Sequence, residues 1–122
     1  MSSFALLSID HVQLAMPAGE EDRARAFYRD VLGMSEIPKP RPLNLRGGAW
    51  FSAGNITLHL GVEADFRPAR KAHPALRVQG FDSLIAKLRA ANITIEEDFE
   101  LENIRRAHID DPFGNRIELI AD

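Results

Sequence analysis

Apolar residues recur along this chain in two rhythms, and the order of the rhythms repeats. From Ile9 to Met16 the residues alternate: Val12, Leu14 and Met16 fall on one side, Ile9, His11 and Gln13 on the other. That is the period of a strand with one packed face. Pro17 and Gly19 end it, and Glu20, Glu21 and Asp22 supply acids suited to the positive end of a starting helix. Ala24, Phe27, Tyr28, Val31 and Leu32 then follow helical spacing, with Gly33 placed as a C-terminal cap. The proline-rich stretch Ile37–Pro42 excludes helix interior and central strand, so it reads as an extended loop. Ala49–Ser52 and Ile56–Gly61, joined by Ala53-Gly54-Asn55, read as a hairpin in which Ile56, Leu58 and Leu60 pack and His59 faces away.

The second half runs through the same order. After a charged, irregular linker from Glu63 to Lys71, alternation resumes with Leu76 and Val78 on one face and His73, Ala75 and Arg77 on the other. Phe81, Leu84, Ile85 and Leu88 form a helical stripe, with Asp82 or Ser83 as its expected N-cap and Asn92 as a left-handed cap. Ile93–Ile95 is expected as a short strand. Ile104–Ile109 and Asn115–Ala121 then form a hairpin around Asp111-Pro112-Phe113-Gly114-Asn115, where proline, glycine and asparagine make a turn inexpensive. The period is roughly 60 residues, which suits a duplicated module better than a solenoid repeat. The expected boundaries are about 6–62 and 72–121, within one domain spanning 1–122.

Composition narrows the chemistry. The 122 residues include no cysteine, which excludes disulfides, thiolate metal sites and a cysteine nucleophile. A net charge of −3 argues against general nucleic-acid binding. No apolar run approaches a membrane span and the N-terminus lacks signal-peptide character, so a cytoplasmic protein is expected. Histidine and carboxylate remain as ligands for a transition metal, and their placement is ordered. His11 and His73 open the first strand of each half; His59 and Glu118 sit in the last strand of each half, and all four lie opposite the apolar face. Such a set suits one divalent ion such as Zn²⁺, Ni²⁺, Fe²⁺ or Mn²⁺. A single histidine at a strand start is more often a hydrogen-bonded structural residue, and Glu118 read alone is a surface charge paired with Arg116 or Arg105. The matched positions favour the metal.

At these residues the chain resembles the vicinal oxygen chelate superfamily, which includes glyoxalase I, extradiol dioxygenases, fosfomycin-resistance thiol transferases, methylmalonyl-CoA epimerase and bleomycin-resistance proteins. The resemblance rests on Asp10-His11-Val12, on Phe27-Tyr28-Arg29-Asp30-Val31-Leu32-Gly33, on Ala72-His73-Pro74-Ala75-Leu76, and on Asp111-Pro112-Phe113-Gly114-Asn115-Arg116-Ile117-Glu118-Leu119. It implies an α+β fold of two tandem βαβββ modules, whose curled mixed sheets enclose a metal cleft within one chain or across a homodimer. It also implies His11, His73 and Glu118 as shared metal ligands. Glyoxalases add a glutamate on the last strand of the first module, where this chain has His59, which becomes a fourth ligand or a base. His59 and Glu118 are accordingly the expected catalytic residues.

The expected activity is divalent-metal Lewis-acid catalysis on a small, anionic, vicinally oxygenated molecule, as a lyase, isomerase, dioxygenase or thiol transferase. Trp50 and Phe51 are expected to wall the pocket, and Arg46 and Arg77 to meet the substrate's charge. Further basic residues (Arg41, Arg67, Arg70, Lys71, Arg105 and Arg106) either help attract an anion or are solvated surface charges. The competing reading is a protein that binds and sequesters an antibiotic or metabolite without turnover. His108, in the penultimate strand, is left without a role.

Overall fold

The computed structural model describes residues 3–122. It contains two four-stranded sheets of the same design. The first has the order β1-β4-β3-β2, from β1 (Val12–Met16), β2 (Ser35–Ile37), β3 (Gly48–Ala53) and β4 (Ile56–Val62). The second has the order β5-β8-β7-β6, from β5 (Ala75–Val78), β6 (Glu96–Asp98), β7 (Arg106–Asp110) and β8 (Arg116–Ala121). In each sheet the first and last strands pair parallel and the other neighbours pair antiparallel. This is the tandem βαβββ fold expected from the repeated rhythm.

Alternation decides which face is packed. Phe51, Leu58 and Leu60 of the first sheet, and Ala107, Ile109, Ile117 and Leu119 of the second, are fully buried. Phe27 and Tyr28 of the first helical segment join that core, as do Phe81, Ile85 and Leu88 of α2 (Phe81–Ala90). Burial of each of the leucine, isoleucine and phenylalanine side chains is worth roughly 1.5–3 kcal/mol, which makes the apolar face the anchor of each sheet. The opposite faces are free for chemistry.

Four local expectations are corrected. The first strand begins at Val12 rather than Ile9, because its ladder with β4 starts at the Val12–Leu58 pair. The first helix is α-helical only over α1 (Glu21–Ala24) and continues as a π-helix over Arg25–Val31. Its wider turn closes with a 2.9 Å bond from Leu32 N–H to the Phe27 carbonyl, five residues back. At α2 neither Asp82 nor Ser83 caps: the N-cap is Gly80 at φ 75°, and Asp82 instead meets Arg105 at 2.8 Å. Asn92 does adopt the left-handed conformation (φ 60°). Ile93 and Ile95 pack against the core from the connection after α2, and the short strand is Glu96–Asp98.

Candidate metal centre

Residues paired directly across a sheet share a face. On the second sheet this rule puts Ala75, Glu118, His108 and Glu96 in one row, running from β5 to β6. His73, two residues before Ala75, belongs to the same face. A backbone bond from Glu118 N–H to the Pro74 carbonyl (3.0 Å) draws the approach to β5 against β8 and so brings His73 to Glu118. One potential ligand atom from each of His73, His108 and Glu118 then lies within 4.8 Å of the others.

Each member of this triad is prepared by its surroundings. His73 Nδ1 donates to the Lys71 carbonyl at 2.8 Å, which fixes the ring and turns Nε2 towards Glu118 Oε1 at 2.9 Å. A histidine whose second nitrogen is held by a backbone carbonyl is the usual arrangement of a metal ligand. His108 Nε2 stands 3.6 Å from the same Oε1, and its ring meets that of His73 edge to face. Glu118 is buried, yet its pKa lies below the ordinary glutamate value. The His73 hydrogen bond is the main cause, with Arg106, His108 and the charge of His73 acting in the same direction against the opposing effect of burial. Arg106 Nη1 approaches Oε2 at 3.4 Å, while its Nη2 meets Asp98 at 2.8 Å. Among the described residues the buried Arg106 Nε–H has no hydrogen-bond partner. Two imidazole nitrogens and a carboxylate fit a divalent transition ion by donor type, and they leave coordination positions open.

The first sheet carries the same register with different chemistry. Gln13, His59, Trp50 and Ile37 form its corresponding row, and His11 precedes Gln13 by two residues. His11 therefore corresponds to His73, His59 to Glu118 and Trp50 to His108. The rings stack: Trp50 on His59 at 3.6 Å with 1° between their planes, and His59 on His11 at 4.0 Å. Burial lowers the pKa of His59, and the neighbouring His11 lowers it further. One module thus holds an ionic row and the other an aromatic one.

Of the expected ligands, the structure brings together His73 and Glu118. It places His11 and His59 with Trp50 on the other sheet, and the third member of the triad is His108. The sequence held a signal for His108. The turn Asp111–Asn115 sets Asp110 opposite Arg116, and counting back two residues on each arm sets His108 opposite Glu118. Trp50 lies on the open face of the first sheet, but Phe51 does not belong to a pocket wall. It is fully buried and stacks on Tyr28 at 5.5 Å, since adjacent strand residues point to opposite faces. Arg77 is exposed on the open face of the second sheet, beside Ile120, and Arg46 is exposed in the loop before β3. Arg116 and Arg105, the suggested partners of Glu118, give way to Arg106.

The sequence and the duplicated fold match one group of proteins. The family model of the Glyoxalase/Bleomycin resistance protein/Dioxygenase superfamily matches residues 8–119. The chain belongs to this superfamily. A superfamily protein of known structure from Bacillus anthracis, assigned to the glyoxalase family, shares 45% identity and a TM-score of 0.93, over 100% of this chain and 99% of that one. The fosfomycin resistance protein FosX from Listeria monocytogenes shares the fold at 16% identity and a TM-score of 0.77, covering 97% and 95%. TnmS3, an antibiotic binding protein from Streptomyces sp. CB03234, does so at 22% and 0.68, covering 95% and 98%. No curated protein matches the chain. The superfamily includes enzymes and binding proteins alike, so the site must carry the choice between them.

Proposed function

We propose that this protein is a metal-dependent enzyme acting on a small, anionic, vicinally oxygenated molecule. The observation that carries this reading is the convergence of His73, His108 and Glu118 within 4.8 Å on an open sheet face. A divalent ion held there supplies Lewis-acid stabilisation of charge developing on two neighbouring substrate oxygens. The Lys71 carbonyl keeps His73 Nε2 directed at the site, and Glu118 stays ionised through its low pKa. The exposed Arg77, on the same face, is suited to an anionic substituent of the substrate.

We further propose a homodimer. Phe4, Leu6, Leu7 and Ile9 are 79–94% exposed in the segment before β1, more large apolar surface than a short arm usually leaves to water. A second copy that covers this arm and sets its first sheet opposite this chain's second sheet adds His11 and His59 to the triad. His59, whose pKa is lowered by burial, would serve there as a fourth ligand or as a base, with Glu118 as the carboxylate ligand. Trp50 lines the cleft in this arrangement. No helix among the described residues is long and apolar enough to cross a membrane, and we place the protein in the cytoplasm.

Elemental analysis of protein purified without chelator tests the reading. About one transition ion per chain, lost in His73→Ala and Glu118→Gln, supports it. Wild-type protein that holds no metal, and takes none up, rules it out. The second reading, sequestration of a ring-bearing antibiotic or metabolite, is favoured by the aromatic row Trp50–His59–His11. It requires ligand binding without turnover by the metal-free protein.

A further inference from the structure

Arg106 is held from two sides and left incomplete on the third. Nη2 meets Asp98 at 2.8 Å, Nη1 meets Glu118 Oε2 at 3.4 Å, and the buried Nε–H has no partner among the described residues. The firmer contact is the one to Asp98. Asp98 in turn accepts the Glu100 N–H at 2.9 Å, so the guanidinium is anchored to the β6 edge and reaches Glu118 from there. An arginine oriented for its own hydrogen bonding would turn Nε–H towards an acceptor. This one is oriented so that Nη1 meets one oxygen of Glu118 while the other oxygen faces the two histidines.

The duplication provides an internal comparison. The row beside the triad reads Arg77, Ile120, Arg106 and Asp98. Its counterpart on the first sheet reads Ala15, Gly61 and Gly48. A Cβ at Gly48 would run into the Leu60 carbonyl oxygen, so that position has no room for a side chain. The module that has His59 in the place of Glu118 has glycine in the place of Arg106.

We propose that Arg106 is a positioning residue of the metal centre: it occupies Oε2 of Glu118 and reserves Oε1 as the single carboxylate donor to a divalent ion. This inference rests on the metal-binding reading above. Arg106 also favours the ionised form of Glu118 by its charge, and Asp98 offsets part of that charge. With Oε2 held, the carboxylate takes one coordination position instead of two, and a position is kept for substrate.

Titration of the metal-free protein with Co²⁺, followed by visible absorption, tests this without any turnover assay. Wild type is expected to take up about one Co²⁺ per chain. In Arg106→Met, which keeps an unbranched apolar stem, both carboxylate oxygens become available. The coordination number rises and the visible bands weaken, and the dissociation constant shifts by ~10-fold or more, as for other groups that support a ligand. Arg106→Lys, which retains a charged donor, is expected to lie near wild type. Asp98→Asn, which loosens the anchor, shifts the spectrum in the direction of Arg106→Met and carries the test if that variant does not fold. Co²⁺ uptake with spectra and affinity unchanged in Arg106→Met and Asp98→Asn overturns the inference and leaves the metal reading standing. A spectrum altered equally by Met and Lys also overturns it, because lost packing then explains the change. Absence of uptake by wild type removes both.

Discussion

Tyr28 and Asp111, 83 residues apart, are joined by a 2.6 Å hydrogen bond between buried side chains, Tyr28 donating. Asp111 also accepts the N–H groups of Phe113 and Asn115 and the Asn115 side-chain amide, so one carboxylate fixes the last hairpin turn and ties it to the first helical segment. Asn115 adds a second tie, donating 2.8 Å to the Ala15 carbonyl. Tyr28→Phe removes one donor from a buried acceptor and is expected to cost about 1–3 kcal/mol in denaturant unfolding. Burial, reinforced by Asp111, raises the Tyr28 pKa well above its ordinary value. Its contribution is therefore complete below the unfolded tyrosine pKa and lost as pH rises through the folded one. Wild type should show a loss of stability at alkaline pH that Tyr28→Phe lacks; equal stability of the two proteins at pH 7 would show the bond to be energetically idle.

The triad makes a definite claim about which histidine matters. His108→Ala should lower metal affinity as severely as His73→Ala, by 10-fold at the least on the scale seen for perturbed metal sites. Isothermal titration of each variant with Zn²⁺ measures this. Wild-type affinity in His108→Ala would return His108 to the role of a bystander.

Mixing two damaged proteins tests whether His11 completes the site of a second copy. His11→Ala and Glu118→Gln each remove one contributor. A mixed dimer with shared sites regains one intact site, formed by His11 of one copy and Glu118 of the other. Metal retained after dialysis should then exceed the sum for the separate variants. No gain on mixing, with exchange of subunits verified, means that the copies do not share ligands.

Acid should loosen the second module. Glu118 has a lowered pKa chiefly through the His73 hydrogen bond, and Asp98 through the Glu100 N–H. Groups with depressed folded pKa values contribute stability that is present above their unfolded values and lost as pH falls through the folded ones. Unfolding free energy of the metal-free protein should therefore fall between mildly acidic pH and the low end of the carboxylate range. Glu118→Gln and Asp98→Asn should each flatten that slope, and an unchanged slope in both would assign acid sensitivity to other carboxylates.

Trp50 is the chain's only tryptophan, so its fluorescence reports on the ring stack alone. Protonated imidazole in contact with indole quenches its emission. A fluorescence step is expected on acidification, centred below the ordinary histidine value because burial, helped by His11, holds His59 neutral. His59→Gln should abolish the step. A step that persists in that variant belongs to another group.

The duplicated order and the packed faces were legible because period-two alternation survives in every long strand. The common face of His73 and Glu118 was legible for the same reason. The parallel pairing of first and last strands was not, since alternation carries no strand direction. Phe51 was misplaced by treating two adjacent aromatics as one surface, although alternation itself forbids that. His108 was left open because the start of β7 is irregular, while the information lay at the other end, in the turn. The π-helical segment was not legible: Phe27, Tyr28, Val31 and Leu32 satisfy α-helical spacing, and the wider turn shows only in the backbone bonds. Arg106 was hidden because a basic residue next to another, Arg105, on an exposed-looking hairpin reads as solvated surface until Asp98 and Glu118 are seen on either side.

The parallel pairing of β5 with β8 has a bearing on the order of assembly. Glu118 and His108 come from adjacent arms of a hairpin, a local contact that forms early, whereas His73 arrives only when a strand about 40 residues distant closes against β8, a non-local step that is slow by nature. A chain with its hairpin made and its outer strand still loose owns two of the three donors. Metal capture would thus mark the completion of folding, and the ion would select molecules that have finished from those that have not.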